Sequence, residues 1–259
     1  MTRKQRAYEY LREMLACGKL KPGMRISDVA LTKKLGLSRT PIREAFLQLE
    51  SEGFLEQIPR QGTFVKTYDR HELQCIFELR QALEAYAAGR AAEHMDDREI
   101  GQLEQLCDEL HHIVRAARQA DGSPAKELVE RSAVVDVAFH FLILHASANP
   151  FLNQIISNYR LMTRVWTAQR NDPFHAPLKV WAVTWRDHYR ILRAIKKRDS
   201  EQAQRWMSYH IARANKEALA YYDLVRRKSL ATHRTEWAKP VLDTIKQLEQ
   251  MGSVGHVDL

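Results

Sequence analysis

The chain has 259 residues, 45% of them hydrophobic and 28% charged, which gives room for one large core or two modest ones. Its net charge of +8 favours an anionic partner. Three widely spaced cysteines exclude a disulfide framework and a thiolate metal site, and the longest apolar run, residues 133–148, is too short to span a bilayer. The amphipathic start, Thr2 to Arg12, has no apolar signal-peptide core, so the expectation is a cytoplasmic protein with no membrane partner. Ten Gly and eight Pro, set among long stretches rich in Ala, Leu, Glu, Arg and Gln, predict a mainly α protein.

Three short helices are expected before residue 53. The first, about 4–17, would bury Ala7, Tyr8, Leu11, Met14 and Leu15 and stop at Gly18. After the turn Lys21-Pro22-Gly23, Ser27 and Asp28 cap a second helix that runs to Leu35, and Gly36 bends the chain into the third. Two such helices with Gly between them fit a helix-turn-helix. The third opens on Ser38-Arg39-Thr40-Pro41-Ile42-Arg43-Glu44-Ala45, with Ser38 as N-cap and Pro41 in the first turn. Its start offers two arginines, two hydroxyls and a positive dipole end, a surface suited to phosphate and to guanine edges. Segments 54–58 and 63–66 then alternate like strands around Pro59-Arg60-Gln61-Gly62, which predicts a hairpin with a basic tip. Residues 1–66 hold thirteen Lys and Arg against seven Asp and Glu, so this head carries +6 of the +8. Charge is concentrated where phosphate contact is expected.

Residues Gly18 to Val65 resemble the DNA-binding domain of the GntR family of bacterial transcription regulators. The pattern is Gly18-x-Leu20-x-Pro22-Gly23, Leu35-Gly36-x-Ser38-Arg39-Thr40-Pro41-x-Arg43-Glu44-Ala45, Leu49-x-x-x-Gly53-Phe54 and Gly62-x-Phe64-Val65. The resemblance implies a winged helix-turn-helix in which Ser38, Arg39, Thr40 and Arg43 meet phosphates and base edges of double-stranded operator DNA, with Gln61 and Gly62 setting the wing in a minor groove. Val29 stands where family members often have an arginine, and Lys33 and Lys34 are nearby substitutes for a phosphate contact.

From residue 69 onward Gly and Pro are sparse, and helices are expected at about 70–94, 97–119, 125–148, 151–170, 178–197 and 200–227. The domain reading is thus 1–68 for the head, 69–227 for an all-α helical bundle, and 228–259 for a C-terminal extension with a short helix near 240–250. Asp136 and His140 lie four apart in an apolar run and so share a helix face. Folding the chain at Arg198-Asp199 brings His188 level with His210. One carboxylate and three imidazoles suit zinc, with nickel, cobalt, manganese or iron as alternatives. His111, His112, His145 and His175 have no comparable partners, and His71, His94, His233 and His256 lie near helix ends, linkers or the tail.

The bundle is similar to the FCD ligand-binding domain of the FadR subfamily. The matching residues are Asp136-x-x-x-His140, His188-x-x-Ile191-x-x-Ala194-Ile195 and Asp199-x-x-x-Ala203-x-x-x-Met207-x-x-His210. In metal-binding members of that group these four positions hold the ion, and an effector carboxylate completes its coordination. Phe77-Glu78-Leu79-Arg80-x-x-Leu83-Glu84 resembles the first effector-domain helix, whose arginine points into the cavity. Arg80 is therefore the first candidate to grip a small carboxylate metabolite, and Arg164 the second. Glu84 is expected in a salt bridge, and Tyr159, Trp166, Phe174 and Trp185 are candidate pocket aromatics. The combined expectation is a homodimeric, metal-containing regulator, usually a repressor, at an inverted-repeat operator. The alternatives are a metal-dependent enzyme acting on an organic acid, or a regulator that senses the metal itself.

Overall fold

A computed structural model of the protein describes residues 1–16, 18–119, 125–152, 155–156, 158–159 and 178–227. The first helix, α1, spans Arg3–Ala16, and strand β1 is the dipeptide Arg25–Ile26. They are followed by α2 (Asp28–Leu35), α3 (Arg39–Ser51), β2 (Leu55–Ile58) and β3 (Gly62–Val65). Ala7, Leu11 and Leu15 on one face of α1 meet Ile42, Ala45 and Leu49 on one face of α3, and Phe54, Leu55 and Val65 close the core from the sheet. The three strands run antiparallel in the order β1-β3-β2. Register Leu55↔Val65 to Ile58↔Gly62 confirms the expected hairpin, whereas β1 has no signal in the sequence. Two residues are too few for a period, and pairing with Thr63 and Phe64 is what makes them a strand.

Local chemistry explains the ends of these elements. Ser27 Oγ accepts from Ala30 N at 3.2 Å to cap α2, and Gly36 ends it at φ 64, a left-handed value that glycine adopts without steric cost. Ser38 occupies the N-cap position of α3, but contrary to expectation its side chain makes no capping hydrogen bond.

Among the described residues, the longer helices that follow are α4 (Arg70–His94), α5 (Asp97–Gln119), α6 (Lys126–Ala146), α7 (Leu178–Lys196) and α8 (Ser200–Arg227). A full capping box fixes the start of α4, where Asp69 accepts from Glu72 N at 2.8 Å and Glu72 accepts from Asp69 N at 3.0 Å. Helix α4 packs along α8, and the small buried residues Ala87, Ala88, Ala91 and Ala92 permit the close approach. A Cβ at Gly89 would stand 2.4 Å from the Gln204 side chain. Phe139 and Ile143 of α6, Ile191 and Ile195 of α7, and Met207 and Ile211 of α8 fill the core between them. Ile76 near the start of α4 packs instead into the core of the head, so one helix serves both cores. Among the described residues, no helix is long and apolar enough to cross a membrane. The expected helix 151–170 is described only in part, and the extension 228–259 lies outside the described residues.

Candidate functional site

Two sites emerge, one on the head and one inside the bundle. On the head, Pro41, Ile42, Ala45 and Phe46 bury one side of α3 and turn the other outward. Ser38, Arg39, Thr40 and Arg43 are all exposed there, as are Gln61 and Gly62 at the wing. A groove of about 970 Å³ separates α3 from the wing and is bordered by Arg25, Asp28, Arg43, Arg60 and Gln61. Asp28 Oδ2 stands 3.3 Å from both Nε and Nη2 of Arg43, which aims the guanidinium along the groove. Gly62 has φ 116, and a Cβ there would meet Arg25 Nε at 3.1 Å. Arg25 therefore lies against the wing backbone and adds a cation that sequence reading missed, because its placement comes from pairing of β1 with β3.

Inside the bundle, Asp136 and His140 of α6, His188 of α7 and His210 of α8 converge, with one candidate ligand atom from each lying within 4.8 Å of the others. His140 Nε2 is 3.2 Å from His210 Nε2 and 3.9 Å from Asp136 Oδ1, and His188 Nε2 is 3.6 Å from Asp136 Oδ1. Donors bound to one ion at about 2.1 Å stand about 3.0–3.4 Å apart when adjacent and about 4.2 Å when opposite. The donor types suit a divalent cation, and the separations of 3.2, 3.6 and 3.9 Å lie within that range. Burial agrees, since His140, His188 and His210 are nearly inaccessible while Asp136 keeps about a third of its side chain open. The His188 ring stacks on Phe139 at 3.9 Å between centroids, which fixes its plane.

A second layer of charged groups surrounds the cluster. Glu84 of α4 is buried, with Oε1 accepting from Arg80 Nε at 2.8 Å and Oε2 lying 2.6 Å from His140 Nδ1. On the other side Asp187 accepts from Arg213 Nε at 2.8 Å, and its Oδ2 lies 3.6 Å from His210 Nδ1. Burial pushes the Asp187 carboxyl up, but His210 and Arg213 more than reverse this and hold it below its ordinary value. Arg213 also donates to Glu217 at 2.6 Å and to Thr184 at 3.2 Å.

Residues 75–213 match the family described as FCD domain, and residues 3–65 match bacterial regulatory proteins, gntR family. The chain is a GntR-family transcriptional regulator with an FCD domain. The regulator YdhC of Bacillus subtilis is 26% identical over 203 residues, covering 78% of this chain and 85% of its own. The transcriptional repressor RspR of Escherichia coli is 26% identical over 207 residues, covering 80% and 85%. Among solved structures, E. coli McbR/YncC is similar at 25% identity and a TM-score of 0.65, with 86% of this chain and 99% of that one covered. These families and relatives are regulators, and the enzyme alternative is set aside.

Within the FCD domain, the four metal candidates come together as the helix spacing and the α7–α8 turn required. Arg80 faces the cluster through Glu84 rather than standing apart from it. Arg164, Trp166 and Phe174 lie outside the described residues. Two pocket aromatics are placed elsewhere. Tyr159 packs against the head core, and Trp185 stacks on His111 at 4.4 Å between centroids. Asp187 and Arg213 were missed, although Asp187 directly precedes a predicted ligand. Adjacent helix residues point about 100° apart, so sequence adjacency gave no reason to expect Asp187 beside His210.

Proposed function

We propose that this regulator acts as a homodimeric repressor on an inverted-repeat operator, and that a small organic acid releases it by binding at the bundle cluster. Asp136, His140, His188 and His210 would hold a divalent ion, zinc first among nickel, cobalt, manganese and iron, and its remaining coordination positions would accept the effector's carboxylate. The observation that carries this reading is the convergence of one carboxylate and three buried imidazoles within 4.8 Å. The capping box at Asp69 supports a boundary between a head, 1–68, and a bundle, 69–227, and the extension 228–259 is proposed from the sequence alone.

Each half then has its own task. Ser38, Arg39, Thr40 and Arg43 present donors at the start of α3, and Gln61 and Gly62 offer a low-profile wing edge to a minor groove. Two heads on one dimer read two half-sites, so a change in their separation alters operator affinity without altering either head. Arg80, linked to the cluster through Glu84, is the first candidate cation for the acid, and Arg164 is the second.

The test combines elemental analysis of the purified full chain with a thermal-shift screen of small carboxylates and divalent metals. Wild type should hold a divalent ion that His188→Ala lacks, and acids that stabilise the wild type should not stabilise that variant. Stabilisation and operator release by metal alone, with no acid effective, would make the ion itself the signal. A full metal content in His188→Ala would remove the cluster from the mechanism.

A further inference from the structure

We propose that Glu84 is the residue that positions His140 toward the ion, and that Arg80 acts by holding Glu84 in place; this rests on the metal reading above. Arg80 and Glu84 lie four apart on α4 and share the face that looks onto α6. Both are buried, with side-chain exposures of 10% and 1%, and the His140 side chain is 1% exposed. A chain of short contacts links them: Arg80 Nε to Glu84 Oε1 at 2.8 Å, then Glu84 Oε2 to His140 Nδ1 at 2.6 Å.

The chemistry of that second contact fixes the imidazole. A carboxylate oxygen and a bare ring nitrogen both present lone pairs, so a 2.6 Å approach requires a proton on one of them, assigned here to Nδ1 as the more basic atom. Nε2 then carries the lone pair, and it is the atom 3.2 Å from His210 Nε2 in the cluster. A carboxylate behind a metal-bound histidine sets the ring's tautomer and orientation and raises its basicity, which is the part assigned to Glu84. Arg80 completes the arrangement, because a buried carboxylate without a cation would carry a large desolvation cost. At His210 the anchoring is looser, with Asp187 Oδ2 at 3.6 Å and Arg213 Nη2 at 3.5 Å from Nδ1, one an acceptor and the other a donor.

This assignment separates two roles for Arg80. An arginine that only grips an acid would leave ion affinity unchanged when it is replaced, whereas one that holds Glu84 would lower it with no acid present. The experiment titrates Co2+ into full-length wild type, Glu84→Gln, Arg80→Gln and the double variant, in competition with a chelator. Glu84→Gln should weaken Co2+ binding about 10–100-fold. Arg80→Gln should weaken it too, and the double variant should be no weaker than Glu84→Gln alone. Wild-type affinity in both single variants would overturn the proposal while leaving the metal site standing.

Nitrogen-15 spectra of the metal-free imidazoles supply an independent readout. His140 should carry its proton on Nδ1 in the wild type and lose that preference in Glu84→Ala. A wild-type His140 protonated on Nε2 alone would refute the proposal even if Glu84→Gln failed to fold. If wild type bound no ion, the metal reading would fail, and the tautomer spectrum would still judge Glu84.

Discussion

Arg43, proposed above as an operator contact, sits where a side chain can add little to stability. Its side chain is 66% exposed and is anchored by Asp28, a surface pair of the kind worth at most about 1 kcal/mol. Arg43→Ala should therefore leave the melting temperature nearly unchanged while specific operator binding disappears from a gel shift; retained sequence preference would contradict its role. Phe139 is the opposite case, fully buried and stacked on His188. Phe139→Ala should cost about 3–5 kcal/mol in denaturant unfolding and also loosen the ring that faces the cluster. Cys107 is chemically quiet for a third reason. Burial, aided by Asp108 and Glu104, pushes its thiol up to about 12. In the folded protein at pH 8, iodoacetamide should label the exposed Cys75 and spare Cys107, as peptide mapping would reveal. Because the folded value lies above the unfolded one, the stability tied to Cys107 is complete below the ordinary thiol range. It declines as pH rises through that range toward the folded value.

Among the elements, α4 has the widest reach. It starts at a capping box beside the wing, places Ile76 in the head core, and two turns later presents Arg80 and Glu84 to the cluster. Residues 76 and 84 are separated by about 12 Å along a helix axis, a rise of 1.5 Å per residue. A shift of α4 driven at Glu84 would thus be felt in the head. Asp69→Ala removes half of the capping box and should cost about 1 kcal/mol, a small change in stability. If α4 is the coupling element, the same variant should blunt the effector's influence on operator affinity, and an unchanged response in fluorescence anisotropy would exclude it. The wing depends on a different feature. Gly62 combines φ 116 with Arg25 Nε at 3.1 Å from a would-be Cβ. Gly62→Ala should weaken operator binding by distorting the wing, with the bundle's metal content untouched.

For the whole molecule, charge and the proposed ion site lead to observable consequences. With +6 of the +8 on residues 1–66, DNA affinity should fall steeply with salt, and the logarithmic slope should drop when Arg39 or Arg43 is removed. An ion held by the folded bundle and not by the unfolded chain raises stability by mass action, about 2.7 kcal/mol at a hundredfold excess over Kd. A chelator should therefore lower the melting temperature of the wild type and leave that of His188→Ala unmoved. Equal shifts in both would show that the stabilising ion binds elsewhere.

The octet from Ser38 to Ala45 was readable as an exposed, cationic helix start because turn residues and charge are local, and local chemistry is written in consecutive residues. The metal candidates were readable for a related reason: a four-residue spacing puts Asp136 and His140 on one face, and one helical hairpin brings His188 level with His210. What the sequence left open were groups whose role depends on three-dimensional neighbours. The strand Arg25–Ile26 exists only through its pairing with β3, and that pairing is what lays Arg25 along the wing. Tyr159 packs against the head core and Trp185 stacks on His111, contacts that no periodicity specifies. Glu84 became the carboxylate behind His140 because α4 packs on α6, a contact between residues 56 positions apart in the chain. Periodicity can tell which way a side chain points on its own helix, but only packing decides what it meets there.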